Sequence, residues 1–265
     1  MTKCKEIMQA IEAIAPPELA ESWDNIGLLV GNSEQTVERV FICLDVTQNA
    51  VNEAVEFGAD LIIAHHPLIF APQKRVIEQD ITGKIISTLI KNNISLFAAH
   101  TNFDSAPNGL ADILANKLEL KNSRPFTADE CLDELGNPTD SFGRISRCET
   151  TTLAEFAKFV KERLNVAAIK YAGDPNRKIE TVATCPGGGA DMLYPAFRAG
   201  ADVLVTADIK HHIAQLAAEL GIAVIDAGHF ETEVLMCDFM KEFLNKKFPA
   251  LKVETSRAGS FFKTV

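Results

Sequence analysis

The 265-residue chain lacks most of the features that would assign it quickly. No apolar run approaches the roughly 20 residues that cross a bilayer, which argues against a membrane span. Six cysteines (Cys4, Cys43, Cys131, Cys148, Cys185 and Cys237) are scattered with no C-x-x-C pair. That pattern disfavours a disulfide frame or a thiolate zinc site and fits reduced thiols in the cytoplasm. Basic residues are outnumbered, 26 to 36, for a net charge of −10. The acidic balance speaks against bulk binding to nucleic acid. No Walker loop, dinucleotide fingerprint or readable Ser-His-Asp order is present, so phosphate-loop chemistry and the common nucleophilic mechanisms have no support.

What is present reads as a soluble globular protein, 47% hydrophobic and 23% charged, long enough for one large core or two smaller ones. The opening MTKCKEIMQAIEAIAPP predicts a short amphipathic helix stopped by Pro16-Pro17, without the apolar core of a leader peptide. WDNIGLLVG (23–31) holds the single tryptophan and predicts a turn into a short strand. Core packing is the expectation for Trp23, while Asp24 and Asn25 could cap or face a site.

Short apolar runs then alternate with helical patterns. The strand Val40–Leu44 ends at Asp45, and Thr47 caps a helix over Gln48–Phe57 that Gly58 closes. Strand Ala59–Ala64 runs into His65-His66-Pro67. A helix over Thr82–Lys91 precedes strand Ile94–Ala99, which delivers His100 and Asp104. The pattern loosens over 121–150, the expected boundary between a first lobe (1–122) and a second (123–265), with the tail able to pack back on the first. Thr152 caps the helix Leu153–Leu164. Strand Thr181–Thr184, the glycines 187–189, a helix over Ala190–Ala199, strand Val203–Thr206, a helix over Ile213–Leu220 and strand Ile222–Ile225 follow. The helix Glu233–Phe243 and a strand-like Ser260-Phe261-Phe262 complete the chain.

The two halves share an order: strand, helix, Gly-Ala-Asp, strand, helix, strand, His-x-x-x-acid. Gly58-Ala59-Asp60 is echoed by Gly200-Ala201-Asp202, and His100-x-x-x-Asp104 by His229-x-x-x-Glu233. Asp60 to His100 spans 40 positions and Asp202 to His229 spans 27, the excess lying in 68–80. Shared element order with shared spacing points to duplication of an αβ lobe.

Every histidine stands at or just beyond an apolar run: His65-His66, His100, His211-His212 and His229. In open α/β sheets, ligands gather at the carboxyl ends of strands. Imidazole nitrogen and carboxylate oxygen without thiolate suit Zn²⁺, Fe²⁺, Mn²⁺ or Ni²⁺. His65, His66, Asp104, His229 and Glu233 are too many ligands for one four-coordinate ion with an open position, and about right for two. Two such ions activate water and clamp a developing oxyanion. A single His-x-x-x-acid is more simply a helix-start pair; two copies beside a histidine pair favour metal. His100 is either a ligand or a group orienting Asp104, and His100 and His212 are the candidate proton carriers. His211 and His212 are as readily solvated residues opening a helix. The glycines 187–189 sit where an anion-binding loop would, a weak signal.

WDNIGLLVG, ADLIIAHHPLIF, AAHTNFD, GADVLVTADIKHH and DAGHFETE, in this order from Trp23 to Glu233, resemble the Ngg-interacting-factor-three-like family, whose members are known as type 2 GTP cyclohydrolase I homologues. The resemblance implies a duplicated, intertwined two-lobe α/β fold with mixed sheets and a dinuclear metal site between the lobes. By motif match its ligands fall on His65, His66, Asp104, His229 and Glu233, with two divalent ions per subunit. It also implies a toroidal homohexamer, a trimer of dimers, and no inserted domain, since 121–180 is too short for one. Two functions follow as expectations. One is a metal-dependent hydrolase of GTP or a related nucleotide, in which activated water attacks the imidazole-ring carbon of the purine. The other is a non-catalytic metal-holding protein that assembles with partners.

Overall fold

The computed structural model describes residues 1–137 and 142–263. It is a mixed α/β structure with mixed sheets. Two compact units account for it: Met1–Ala106 with Met236–Gly259, and Pro107–Leu235 with Ser260–Val265. No helix among the described residues is long and apolar enough to cross a membrane.

The first unit runs β1 (Thr2–Lys3), α1 (Cys4–Glu12), β2 (Gly27–Val30), β3 (Thr36–Val37), β4 (Arg39–Cys43), α2 (Gln48–Phe57), β5 (Leu61–Ala64), α3 (Ile81–Lys91), β6 (Ser95–Ala98) and α4 (Thr101–Ser105). Its main sheet has the order β13-β4-β5-β6-β2, where β13 is the late strand Lys252–Thr255. The strands β4, β5 and β6 pair in parallel, and β2 closes the edge antiparallel to β6. β5 is buried along its whole length, as the unbroken run Leu61–Ala64 requires of a strand covered on both faces. Thr47 accepts the Ala50 amide at 3.1 Å to start α2, and Gly58, at φ 74°, ends it in the left-handed conformation that glycine adopts without strain.

The second unit runs α5 (Leu110–Lys117), β7 (Lys121–Pro125), β8 (Arg144–Thr152), α6 (Leu153–Arg163), β9 (Lys170–Ala172), β10 (Lys178–Thr184), α7 (Leu193–Arg198), β11 (Val203–Thr206), α8 (His211–Leu220), β12 (Ala223–Asp226) and α9 (His229–Glu233). The sheet order is β7-β8-β10-β11-β12-β9. Again three strands, β10, β11 and β12, are parallel, and again an antiparallel strand, β9, flanks the last. The chain then enters α10 (Leu235–Lys247) and β13, which pairs in parallel with β4. The strand-like reading of Ser260–Phe262 is corrected here: Phe261 and Phe262 are exposed and lie in no strand, and the late strand is Lys252–Thr255.

The Gly-Ala-Asp repeat has a physical cause. After each left-handed glycine the chain turns into a strand, and the aspartate bridges to the backbone of the preceding strand. Asp60 Oδ2 accepts the amides of Glu38 (2.8 Å) and Arg39 (2.9 Å). Asp202 Oδ2 accepts those of Glu180 and Thr181, both at 2.9 Å. The same carboxylate latch is built twice.

The shared His-x-x-x-acid spacing, however, is out of register by one residue. Ala64 pairs with Ala98 in the first unit and Thr206 with Asp226 in the second. Two residues beyond each lies the cap of the next helix: His100 in one case and Gly228 in the other. His229 therefore matches Thr101, and His100 has no histidine counterpart.

Candidate metal centre

In the first unit the backbone pairing of β5 continues past Ala64, with the His65 amide donating to Cys43 O (3.2 Å) and the His66 amide to Leu44 O (3.0 Å). Adjacent strand residues face opposite sides of a sheet. That alternation has ended here, because the two imidazole centroids are 5.1 Å apart. His100 joins them, 5.1 Å from the His65 ring and 5.5 Å from the His66 ring. One ring nitrogen from each of the three lies within 4.8 Å of the others. Asp104, buried on α4, places Oδ1 3.5 Å from His65 Nε2.

The outer nitrogen of each ring is committed. His65 Nδ1 donates to Ala99 O (2.9 Å), His66 Nδ1 to Asp45 Oδ1 (2.8 Å) and His100 Nδ1 to Asp24 Oδ1 (2.9 Å). A carbonyl or ionised carboxylate can only accept, so each Nδ1 is the donor of its hydrogen bond. Metal-ligating histidines are oriented in this way. The Asp24 side chain is fully buried. Burial pushes its carboxyl up, but donation from His100, the Thr101 hydroxyl (2.5 Å) and the Thr101 amide (3.1 Å) outweighs this and brings it down to about 2.

The second unit holds a smaller set. His229 opens α9, with Nδ1 2.7 Å from Asp208 Oδ2 and Nε2 3.0 Å from Glu233 Oε2 one turn on. Glu233 is 5% exposed and His229 37%. The glycines that follow β10 form the wall of this pair. Gly187 has φ 60°, and a Cβ there would overlap Glu233 Oε1 and stand 3.2 Å from His229 Nε2. The weak reading of 187–189 as an anion cradle is corrected: the Gly187 amide donates to Thr232 Oγ1 (3.0 Å) and the Gly189 amide to Thr206 Oγ1 (2.8 Å). These glycines make room for a carboxylate.

His211 and His212 are exposed on the first turn of α8. Neither belongs to a converging ligand group among the described residues. All six cysteines are unpaired by disulfide. Burial pushes the Cys43 thiol well up and Cys237 to about 12, so neither is a thiolate ligand. The donor set is nitrogen and oxygen with oriented imidazoles, and it fits a borderline divalent cation. Sequence reasoning missed the orienting roles of Asp45 and Asp208, each two residues beyond a strand, and left Asp24 open as a cap or a residue facing a site.

This fold defines a class of known structures. The crystal structure of a Bacillus cereus protein related to NIF3 superposes with a TM-score of 0.91 at 28% identity, over 100% of this chain and 99% of that one. Reduced HcgD from Methanocaldococcus jannaschii gives 0.80 at 31% identity, over 97% and 98%. A Streptomyces coelicolor protein named GTP cyclohydrolase 1 type 2 homolog is 40% identical over 248 residues, 90% of this chain and 84% of its own. A Clostridium perfringens protein of the same name is 37% identical over 235 residues, 87% of each. The model of the Duf34/NIF3 (NGG1p interacting factor 3) family matches residues 2–259, and the chain belongs to that family.

Proposed function

We propose that His65, His66 and Asp104 together with His229 and Glu233 hold two divalent ions (Zn, Fe, Mn or Ni), and that the protein is a metal-dependent hydrolase of GTP or a related nucleotide. The observation that carries this reading is the way the imidazoles are presented: ring nitrogens of His65, His66 and His100 converge within 4.8 Å, and each Nδ1, like that of His229, is engaged by an oxygen, as in metal-ligating histidines. His229 and Glu233 are two ligands, too few to hold an ion with three or four protein donors, so the second set needs the first. The shared name of the Streptomyces and Clostridium relatives supports a guanine nucleotide.

Bound there, the ions would supply an acidified water and stabilise developing oxyanion charge. The remaining work falls to the chain. His65, His66 and His229 are oriented through Nδ1 by Ala99 O, Asp45 and Asp208. His100, whose Nδ1 proton is held by Asp24, offers Nε2 to take or return a proton beside the cluster. Opening the purine imidazole ring adds one water to C8 and breaks a ring carbon–nitrogen bond. The nitrogen takes up a proton, and the product is a ring-opened formamide. A cytoplasmic ring-shaped hexamer, the assembly implied by the family resemblance, is part of this proposal.

The test combines composition with turnover. Metal analysis of the purified protein is expected to give about two ions per chain. His66→Ala and Glu233→Gln are each expected to lose metal and at least about 100-fold of nucleotide turnover, as removal of a catalytic ligand typically does. Unchanged turnover in both variants would sink the hydrolase reading. Metal retained without turnover of any nucleotide would favour the metal-holding assembly protein instead.

A further inference from the structure

Trp23 is the single tryptophan of the chain, and it is not spent on the core: 48% of it is exposed. Phe70 is 56% exposed. The two rings lie 5.7 Å apart at 48°, and the indole meets the His100 ring edge-on at 6.1 Å and 72°. Two large aromatic side chains thus stand partly in water at the border of the histidine cluster. Leaving that much aromatic surface wet forgoes a stabilisation that burial would supply.

Both rings are tied to the cluster. The side chain of Asp24, next to Trp23, is fully buried and receives His100 Nδ1 and the Thr101 hydroxyl and amide. Asn25 donates its side-chain amide to the carbonyl of Ile69, the residue before Phe70. Phe70 itself lies in the loop, 65–80, that begins with the histidine pair. The segment that orients His100 and the segment that carries the histidine pair therefore each present one aromatic ring, and a hydrogen bond joins them. At 48° the rings are not stacked on each other, so neither covers the other's face.

We infer that Trp23 and Phe70 form a stacking shelf for the planar heterocycle of the substrate, a purine base, and hold it beside His100. The identity of the occupant rests on the nucleotide reading above; the shelf itself rests on the geometry. Stacking suits this occupant because every base has a π face and a polar edge, and the edge can meet the imidazoles while the face meets the indole. The chain carries a net charge of −10, which makes the base a better handle than the phosphates.

Because Trp23 is the only tryptophan, its fluorescence reports the shelf directly. Guanosine titrated into the full-length protein as purified is expected to quench it saturably, whereas ribose 5-phosphate, which has no base, is not. By equilibrium dialysis, Trp23→Leu and Phe70→Leu are each expected to bind guanosine about 10- to 100-fold more weakly, with Trp23→Phe recovering most of the loss. Metal content is expected to stay at the wild-type value in all three. Absence of quenching by guanosine, or wild-type affinity in both leucine variants, would overturn the inference. Nucleotide turnover with unaltered KM in the variants removes the shelf and leaves the hydrolase. Guanosine binding lost in the variants, in a protein that turns over no nucleotide, keeps the shelf and removes the hydrolase.

Discussion

In the first unit β5 is followed by His65-His66; at the same register of the second unit β11 is followed by Ala207-Asp208. Counting along the paired strands from Ile42 opposite Ile63, and from Thr184 opposite Val205, Asp45 corresponds to Gly187. The two units therefore place different chemistry on one frame. In the first, a strand end carries the imidazole and the neighbouring strand end carries the carboxylate that orients it, His66 with Asp45. In the second, the strand end carries the orienting carboxylate, Asp208, and the imidazole comes from the helix, His229. The neighbouring strand end is then a glycine, because Glu233 fills the space a side chain would need. Position in the frame decides where a group sits at the strand ends of its unit; it does not decide whether that group is ligand, orienter or space.

The frame itself gives the largest expected effects. Asp60 and Asp202 each accept two successive backbone amides from the preceding strand, so their removal should cost the same. Asp60→Ala and Asp202→Ala are each expected to destabilise by about 2–3 kcal/mol, the loss of two amide bonds to a charged acceptor. Chemical denaturation read by circular dichroism measures this. Costs that differ by more than about 1 kcal/mol would break the idea of one latch built twice.

The orienting carboxylates come next and test where the units differ. Asp45→Ala and Asp208→Ala are each expected to weaken metal binding about 10- to 100-fold, the usual cost of losing a group that orients a ligating histidine. Competition against a chelator reads the affinity, and the unfolding midpoint of the metal-free protein should move little. Asp208 is 60% exposed and Asp45 32%. Water can take over more readily at Asp208, so the smaller loss is expected there.

The candidate ligands were legible because they are local. A short apolar run, a histidine or acid at its end and a repeated order mark strand ends, and strand ends are where an α/β sheet binds. The orienting carboxylates were not, since Asp45 and Asp208 lie 21 positions from the histidines they hold, and Asp24 lies 76 positions from His100. The one-residue slip between the two His-x-x-x-acid copies was invisible for the same reason: spacing within a motif says nothing about register against the neighbouring strand. Trp23 is expected in the core on hydrophobicity alone, yet it stands 48% exposed beside the buried side chain of Asp24. Strand β7, Lys121–Pro125, is exposed throughout and has no apolar alternation to betray it.

That strand belongs to the part of the second unit without a counterpart in the first, and it allows the smallest and most specific test. Arg124 on β7 makes a two-pronged pair with Glu130, at 2.8 Å to each carboxylate oxygen. The guanidinium holds the Glu130 carboxyl down at about 2, against an ordinary value of 4.5, with the Thr127 amide adding to it. A carboxyl lowered in the folded state contributes stability that is fully present above about pH 4.5 and is lost as pH falls through about 2. Near the surface the contribution is small, under about 1 kcal/mol. Glu130→Gln is therefore expected to be slightly less stable than the parent at pH 6, with the gap shrinking below about pH 4.5 and gone near pH 2. Amide hydrogen exchange should confine the change to the β7–β8 pairing and leave the β10-β11-β12 strands of the shared frame untouched. A gap independent of pH would show that Glu130 acts through packing; protection lost across β10–β12 would show that the added strands and the shared frame unfold as one piece.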